Sequence, residues 1–260
     1  MKLPIYQVDA FASEVFKGNP AAVVPYNEPV STEVMQKVAM ENNLSETAFI
    51  QSSGSGHYRI RWFTPAVEVD LCGHATLAAA HVVMNELEPG LKRVVFSAAV
   101  GPLEVAARDG LLILDFPSRP PQPADIAPEL SEAMGKRPLE VLKSRDLILV
   151  YGSEGDVVGL RPHFDQLAAC STFGVLATAR GKSTDFVSRC FFPAVGIDED
   201  PVTGSAHCSL IPFWAERLGK SSLTALQRSK RGGELFCELR GDRVHIGGRV
   251  VPYLTGEITV

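Results

Sequence analysis

Arg61-Trp62-Phe63-Thr64-Pro65-Ala66-Val67-Glu68-Val69-Asp70 can be laid over Arg189-Cys190-Phe191-Phe192-Pro193-Ala194-Val195-Gly196-Ile197-Asp198 at a constant offset. Six of the ten positions are identical (Arg, Phe, Pro, Ala, Val, Asp), and Val69 against Ile197 is a near match. Three residues are then inserted in the second copy, after which Gly73-His74-Ala75 aligns with Gly204-Ser205-Ala206. Such agreement is improbable by chance and marks an internal repeat. Two copies are too few for a solenoid, which leaves a duplicated domain related by a pseudo-twofold axis.

Between the copies, Pro117-Ser118-Arg119-Pro120-Pro121-Gln122-Pro123 holds four prolines in seven residues. Proline lacks the N–H a ladder needs and restrains the residue before it, so this reads as a stiff interdomain connection. The expected division is therefore an N-terminal domain over residues 1–117 and a C-terminal domain over 118–260. The last strand, 253–260, is a candidate to complete the first domain.

Each copy continues into a stretch that is apolar on nearly every side, 75–84 in the first and 206–218 in the second. A helix apolar all round is buried on all faces. Most of the remaining chain reads as strand. Tyr58, Ile60 and Trp62 alternate with His57, Arg59 and Arg61, the period of a half-buried strand. Further β-rich runs lie at 94–96, 111–116, 147–150, 186–192 and 235–239, with a hairpin turn expected at Arg240-Gly241-Asp242. The fold class expected is α+β, two similar domains, each a mostly antiparallel, barrel-like sheet curled around one central helix. Pro212 inside the second helix predicts a kink or local break. Residues 31–42 read as a surface helix capped by Ser31, with Glu33 in its positive first turn.

Composition narrows the function classes. The 260 residues are 45% hydrophobic and 21% charged, which excludes a disordered chain. Lys+Arg number 25 against 30 Asp+Glu, a formal −5, which argues against a nucleic-acid binder. Five scattered cysteines without a CxxC pair suggest neither a disulfide framework nor a structural zinc site. With no signal-peptide pattern and no apolar stretch long enough to span a bilayer, the expectation is a cytoplasmic protein with no membrane partner.

If the copies face each other, both central helices can turn their N-termini toward one interdomain cleft. A helix N-terminus offers unpaired N–H groups and about half a positive charge, so it favours an anion. Gly73 and Gly204 would let a carboxylate approach the backbone closely. Acid/base candidates stand nearby in sequence. Glu46 lies at a loop-to-strand junction, His74 in the first turn of the first helix, and Asp200 ahead of the second, kept non-helical by Pro201.

Five ordered motifs carry a family resemblance. Gln7-Val8-Asp9-Ala10-Phe11, residues 16–24 (FKGNPAAVV), residues 44–49 (LSETAF), Leu71-Cys72-Gly73-His74-Ala75-Thr76 and residues 199–206 (EDPVTGSA) closely resemble the PhzF family of phenazine-biosynthesis-type isomerases. Arg231-Gly232-Gly233-Glu234-Leu235 resembles the branch that includes animal members. The resemblance implies the diaminopimelate-epimerase-like fold, which the repeat and the buried helices suggest independently. It also implies Glu46 as the acid/base that takes a proton from one substrate carbon and returns one at another. His74 and Asp200 would orient substrate and assist proton movement, while Gly73, His74, Gly204 and Ser205 would bind its carboxylate. It implies a homodimer, and neither metal nor organic cofactor is called for. A carboxylate in a partly buried position can act as such a base, with helix ends offsetting developing charge.

Cysteine usage separates this reading from racemisation. In related epimerases and racemases a cysteine on each helix start flanks the substrate α-carbon. Here Cys72 holds the first such position and Thr203 the second, and a hydroxyl is a far weaker base than a thiolate. Asn19, in a Gly-Asn-Pro turn, is a further candidate substrate contact. Cys72 and Thr203 line the same expected site. His81 and His207 read as core or helix-flank residues, and Arg231 as a group able to neutralise an acidic substrate. Three functions follow: a proton-transferring isomerase using Glu46, an amino-acid epimerase using Cys72, or a non-catalytic metabolite- or protein-binding scaffold.

Overall fold

The computed structural model describes residues 1–170 and 172–260. The chain divides into two compact units, Met1–Asp115 with Gly247–Val260, and Phe116–Ile246. The returning segment thus begins at Gly247, earlier than the 253 expected from sequence, and the second unit ends at Ile246 rather than 260.

The first unit runs β1 (Lys2–Ala10), β2 (Asn19–Pro25), α1 (Thr32–Asn42), β3 (Glu46–Gly54), β4 (His57–Phe63) and the short β5 (Glu68–Val69). It continues through α2 (Gly73–Val82), β6 (Arg93–Ala98), β7 (Gly101–Arg108) and β8 (Leu111–Pro117). Pairs β1–β2, β3–β4, β4–β5, β6–β7 and β7–β8 are antiparallel, whereas β2–β3 and β4–β6 are parallel. The second unit holds β9 (Gln122–Pro123), α3 (Pro128–Ala133), β10 (Glu140–Lys143), β11 (Leu147–Val150), α4 (Glu154–Gly159), α5 (Phe164–Ala169), β12 (Val175–Arg180) and β13 (Phe186–Phe192). Then come β14 (Ile197–Asp200), α6 (Gly204–Leu218), β15 (Ser222–Gln227), β16 (Gly233–Arg240) and β17 (Arg243–Gly248). In this unit β11–β12 and β13–β15 are parallel, whereas β10–β11, β12–β13, β13–β14 and β15–β16 are antiparallel. Finally β18 (Val250–Thr259) returns to pair antiparallel with β1.

The repeat occupies the same place in each unit. Its strand (β4 or β13) pairs antiparallel with a short strand (β5 or β14), a helix follows (α2 or α6), and the next strand adds in parallel. The repeated Arg and Phe stand two residues apart, on one face of the strand. In both units the guanidinium sits 5.0 Å over the phenyl ring, Arg61 on Phe63 and Arg189 on Phe191. Each arginine also pairs with a glutamate of the short strand, Arg61 with Glu68 and Arg189 with Glu199, through two bonds of 2.7–2.8 Å. The copied residues are thus the parts of one structural brace used twice.

α2 is buried on all sides, whereas α6 is buried from Ala206 to Ala215 and exposes Glu216 and Arg217 in its last turn. Every α2 residue except His81 is buried, and the run of alanines lets the strands approach it closely. In the first unit β2 is covered on its other side by α1, where Met35 and Val38 meet Ala22, Val24 and Phe49. Burial on two faces explains why β2 reads as a continuous apolar run instead of alternating. The α1 helix follows expectation, with Ser31 Oγ accepting the Val34 N–H and Asn43 closing the helix in the left-handed region. Past Val82 the chain widens into a looser turn, Val83–Leu87.

The local break expected at Pro212 does not occur. α6 is continuous from Gly204 to Leu218 with the proline inside it. A proline at 212 withholds the N–H that would reach the carbonyl of Cys208. That carbonyl instead accepts the backbone N–H of Arg119, at 2.9 Å, from the proline-rich segment. The helix loses one bond but leaves no orphan at Cys208, so it need not break.

One turn into α6, His207 is fully buried beside Phe186, its Nδ1 on the carbonyl of Thr203 at 2.8 Å. Burial pushes the imidazole down to about 4, against which the Thr203 contact acts only partly. The unfolded chain binds a proton there near 6.5, whereas the folded one refuses it until about 4. Stability is therefore present above pH ~6.5 and lost progressively toward pH ~4, by roughly 3 kcal/mol from this group. Thermal midpoints between pH 7.5 and 4.5 should fall less steeply in His207→Gln than in the parent. Parallel curves would contradict it.

Candidate active site

In the first unit, three segments deliver side chains to the start of α2. Gly18 takes φ +65°, and a Cβ there would lie 2.1 Å from the carbonyl oxygen of Ala10, so only glycine makes this turn. It sets Asn19, the first residue of β2 and fully buried, against His74, with the amide Nδ2 3.2 Å from Nδ1. Glu46 opens β3, opposite Ala21 of the parallel β2. The preceding loop is tied down by Asn42 Nδ2, which donates to Thr47 Oγ1 at 3.0 Å. Cys72 is the residue before α2, in extended conformation, and Gly73 and His74 form the first turn.

Glu46 Oε2 lies 3.1 Å from His74 Nε2, with the side chains only 13% and 6% exposed. Both atoms are buried, and they are near enough for an ion pair. Burial disfavours the His74 imidazolium, but neighbouring negative charge outweighs it and holds the group well above its ordinary range. Cys72, whose Sγ is 3.5 Å from His74 Nδ1, is itself pushed up to about 11, mainly by burial. The neighbouring groups that favour the His74 imidazolium are Cys72 first and then Glu46. The Asn19 amide can serve either ring state. It donates from Nδ2 to a bare Nδ1 or, turned over, accepts through Oδ1 from a protonated one.

Glu46, Cys72 and His74 also bring three potential ligand atoms within 4.8 Å of one another. An ion takes one ring nitrogen. Here the ring turns Nε2 to Glu46 and Nδ1 to Cys72, so opposite edges are engaged. The donor set as built fits movement of protons better than a bound metal.

The second unit carries the corresponding helix start. Asp200 ends β14, and Thr203 precedes α6, whose first turn holds Gly204 and Ser205. The Thr203 hydroxyl bonds to Asp200 Oδ2 at 2.5 Å, so the residue in the second-cysteine position is committed to a neighbouring carboxylate. Ser205 Oγ accepts from Arg145 at 3.2 Å, and Arg145 also pairs with the buried Asp146. The branch motif enters through Ser229, which donates to the carbonyl of Pro201 at 2.7 Å and receives the Gly232 N–H at 3.0 Å.

Within its own unit, each helix start thus gathers the residues expected of it. Asn19, Glu46, Cys72, Gly73 and His74 come together in the first unit, and Asp200, Thr203, Gly204 and Ser205 in the second. His81 takes an Asn85 contact on the helix flank, and His207 lies in the core. Sequence reasoning misses Gln227, which contacts both Asp200 and Thr203, and Arg145. A polar residue at a strand end and an arginine in a loop carry no signal of what they will meet.

Comparison with known proteins gives a consistent result. A family model described as phenazine biosynthesis-like protein, PhzC-PhzF, matches residues 8–256. An uncharacterized isomerase of Pseudomonas aeruginosa is 52% identical over 259 residues, 99% of either chain. The phenazine biosynthesis-like domain-containing protein of Homo sapiens is 37% identical over 287 aligned positions, covering both chains fully. A crystal structure of a PhzF family protein from Enterococcus faecalis superposes with a TM-score of 0.97 at 47% identity, over 100% of each chain.

Proposed function

The chain belongs to the PhzC-PhzF family of phenazine biosynthesis-like proteins, and from that membership we propose that it is an isomerase moving a proton between carbons of a small carboxylic acid. Glu46 is the general acid/base. The observation that carries this reading is the pairing of Glu46 Oε2 with His74 Nε2, 3.1 Å apart, at the N-terminus of α2. Relatives bearing the name isomerase support the reaction class.

The Glu46 carboxylate takes a proton from a substrate carbon, and the C–H electron pair passes into the adjoining unsaturated system. Negative charge develops on the substrate carboxylate, where the first N–H groups of α2 and the His74 imidazolium offset it. Glu46, now the acid, returns its proton at another carbon. Asp200 orients the substrate, and Gly73, Gly204 and Ser205 offer backbone N–H groups to its carboxylate. Each step uses groups of this chain, so the proposal calls for no cofactor.

The test is incubation in D2O with a panel of small unsaturated and amino acids, followed by NMR. Carbon-bound deuterium and a rearranged product are expected from at least one unsaturated acid. Saturable binding with no exchange anywhere in the panel would overturn the enzymatic reading. Cys72→Ala distinguishes the epimerase alternative. A thiol held near pKa 11 is a poor base at neutral pH, so exchange should fall by less than about tenfold. Loss of exchange in Cys72→Ala with retention in Glu46→Gln would replace isomerisation by epimerisation.

A further inference from the structure

Gln227, the last residue of β15, is fully buried, and its amide bonds to three groups of the segment that ends at Thr203. Its Oε1 accepts the Thr203 backbone N–H at 2.8 Å. Its Nε2 donates to the carbonyl of Asp200 at 2.8 Å and to Thr203 Oγ1 at 3.1 Å. Because Thr203 Oγ1 receives a proton from the amide, its own proton is left to point along the 2.5 Å contact to Asp200 Oδ2. The chain of donors therefore has one direction, from amide to hydroxyl to carboxylate.

Neither end of this chain is free to reverse. A glutamine amide has two donors and one oxygen, and the backbone N–H of Thr203 can only donate, which fixes the amide orientation. Asp200, before Pro201, is disfavoured from helical geometry, and its carbonyl and the Thr203 N–H take a donor and an acceptor from outside the segment. Gln227 supplies both. We propose that Gln227 is a positioning residue for the reaction, holding Asp200 as an oriented carboxylate through Thr203. This rests on the proposed role of Asp200 in orienting substrate.

Gln227→Glu keeps the shape, removes both Nε2 donors and places a second carboxylate beside Asp200. The direct readout is the carboxyl titration of Asp200 in protein labelled with γ-13C aspartate, assigned with Asp200→Asn. In Gln227→Glu the midpoint should rise by about one unit or more relative to the parent, since like charge and a lost donor both disfavour the anion. An unmoved midpoint overturns the proposal whatever the activity does. In the D2O assay, Gln227→Glu should lower kcat by about tenfold or more and carry the acid limb of the pH profile upward with the titration. A purely structural glutamine would change the thermal midpoint and the amount of active protein while leaving that limb in place, which also overturns the proposal. Failure of the underlying reading looks different: Asp200→Asn would retain full exchange, while the titration would still report whether Gln227 orients the carboxylate. Should Gln227→Glu fold poorly, Gln227→Asn replaces it and is expected to move the midpoint in the same direction.

Discussion

Replacing Glu46 by glutamine is expected to lower solvent-proton exchange by about 10²–10⁴-fold, the range that general acid–base groups contribute. The substitution keeps the volume at the start of β3 and offers His74 Nε2 an acceptor, so thermal stability should be close to that of the parent. The effect is large because no neighbour can take over. Cys72 is held as a thiol mainly by burial, which the substitution leaves in place. Asn19 has no titratable proton. Exchange at the parental rate in Glu46→Gln would remove the residue from the reaction.

The second large effect is on stability and comes from the duplicated arginine. Arg189 is 9% exposed, pairs with Glu199 through two bonds, and donates to the carbonyls of Val157 and Leu160 at 3.2 and 2.9 Å. It therefore also closes the C-terminal end of α4. Arg189→Met would leave a carboxylate and the Leu160 carbonyl without this donor, a loss of about 3–5 kcal/mol. The thermal midpoint of the protein should drop on the order of 10 °C. Its copy, Arg61, makes the same ring contact and the same glutamate pair, but those side chains are 33% and 41% exposed. Arg61→Met is expected to cost about 1 kcal/mol or less, because water replaces what is removed. Equal losses at the two positions would show that burial is not what separates them.

These two arginines also show what the sequence can tell. The repeat is legible because one brace of arginine, phenylalanine and a turn recurs, and the apolar runs after Gly73 and Gly204 identify both central helices. The motifs mark the residues that gather at each helix start within its own unit. Pro212 misleads because the partner that relieves it, the Arg119 N–H, comes from a segment far away in sequence. Gln227 is invisible for a related reason. Its three contacts are two backbone groups and a hydroxyl, and backbone groups leave no trace in residue identity.

A single turnover in ordinary water decides whether one carboxyl both takes and returns the proton. The acid identified by the panel would carry deuterium at the carbon that loses it, and the product would be read by mass spectrometry and NMR. A glutamate acting alone should deliver part of that label to the receiving carbon of the same molecule. Product entirely free of label, at every temperature and pH where turnover occurs, would contradict a lone carboxyl and point to separate groups for removal and return.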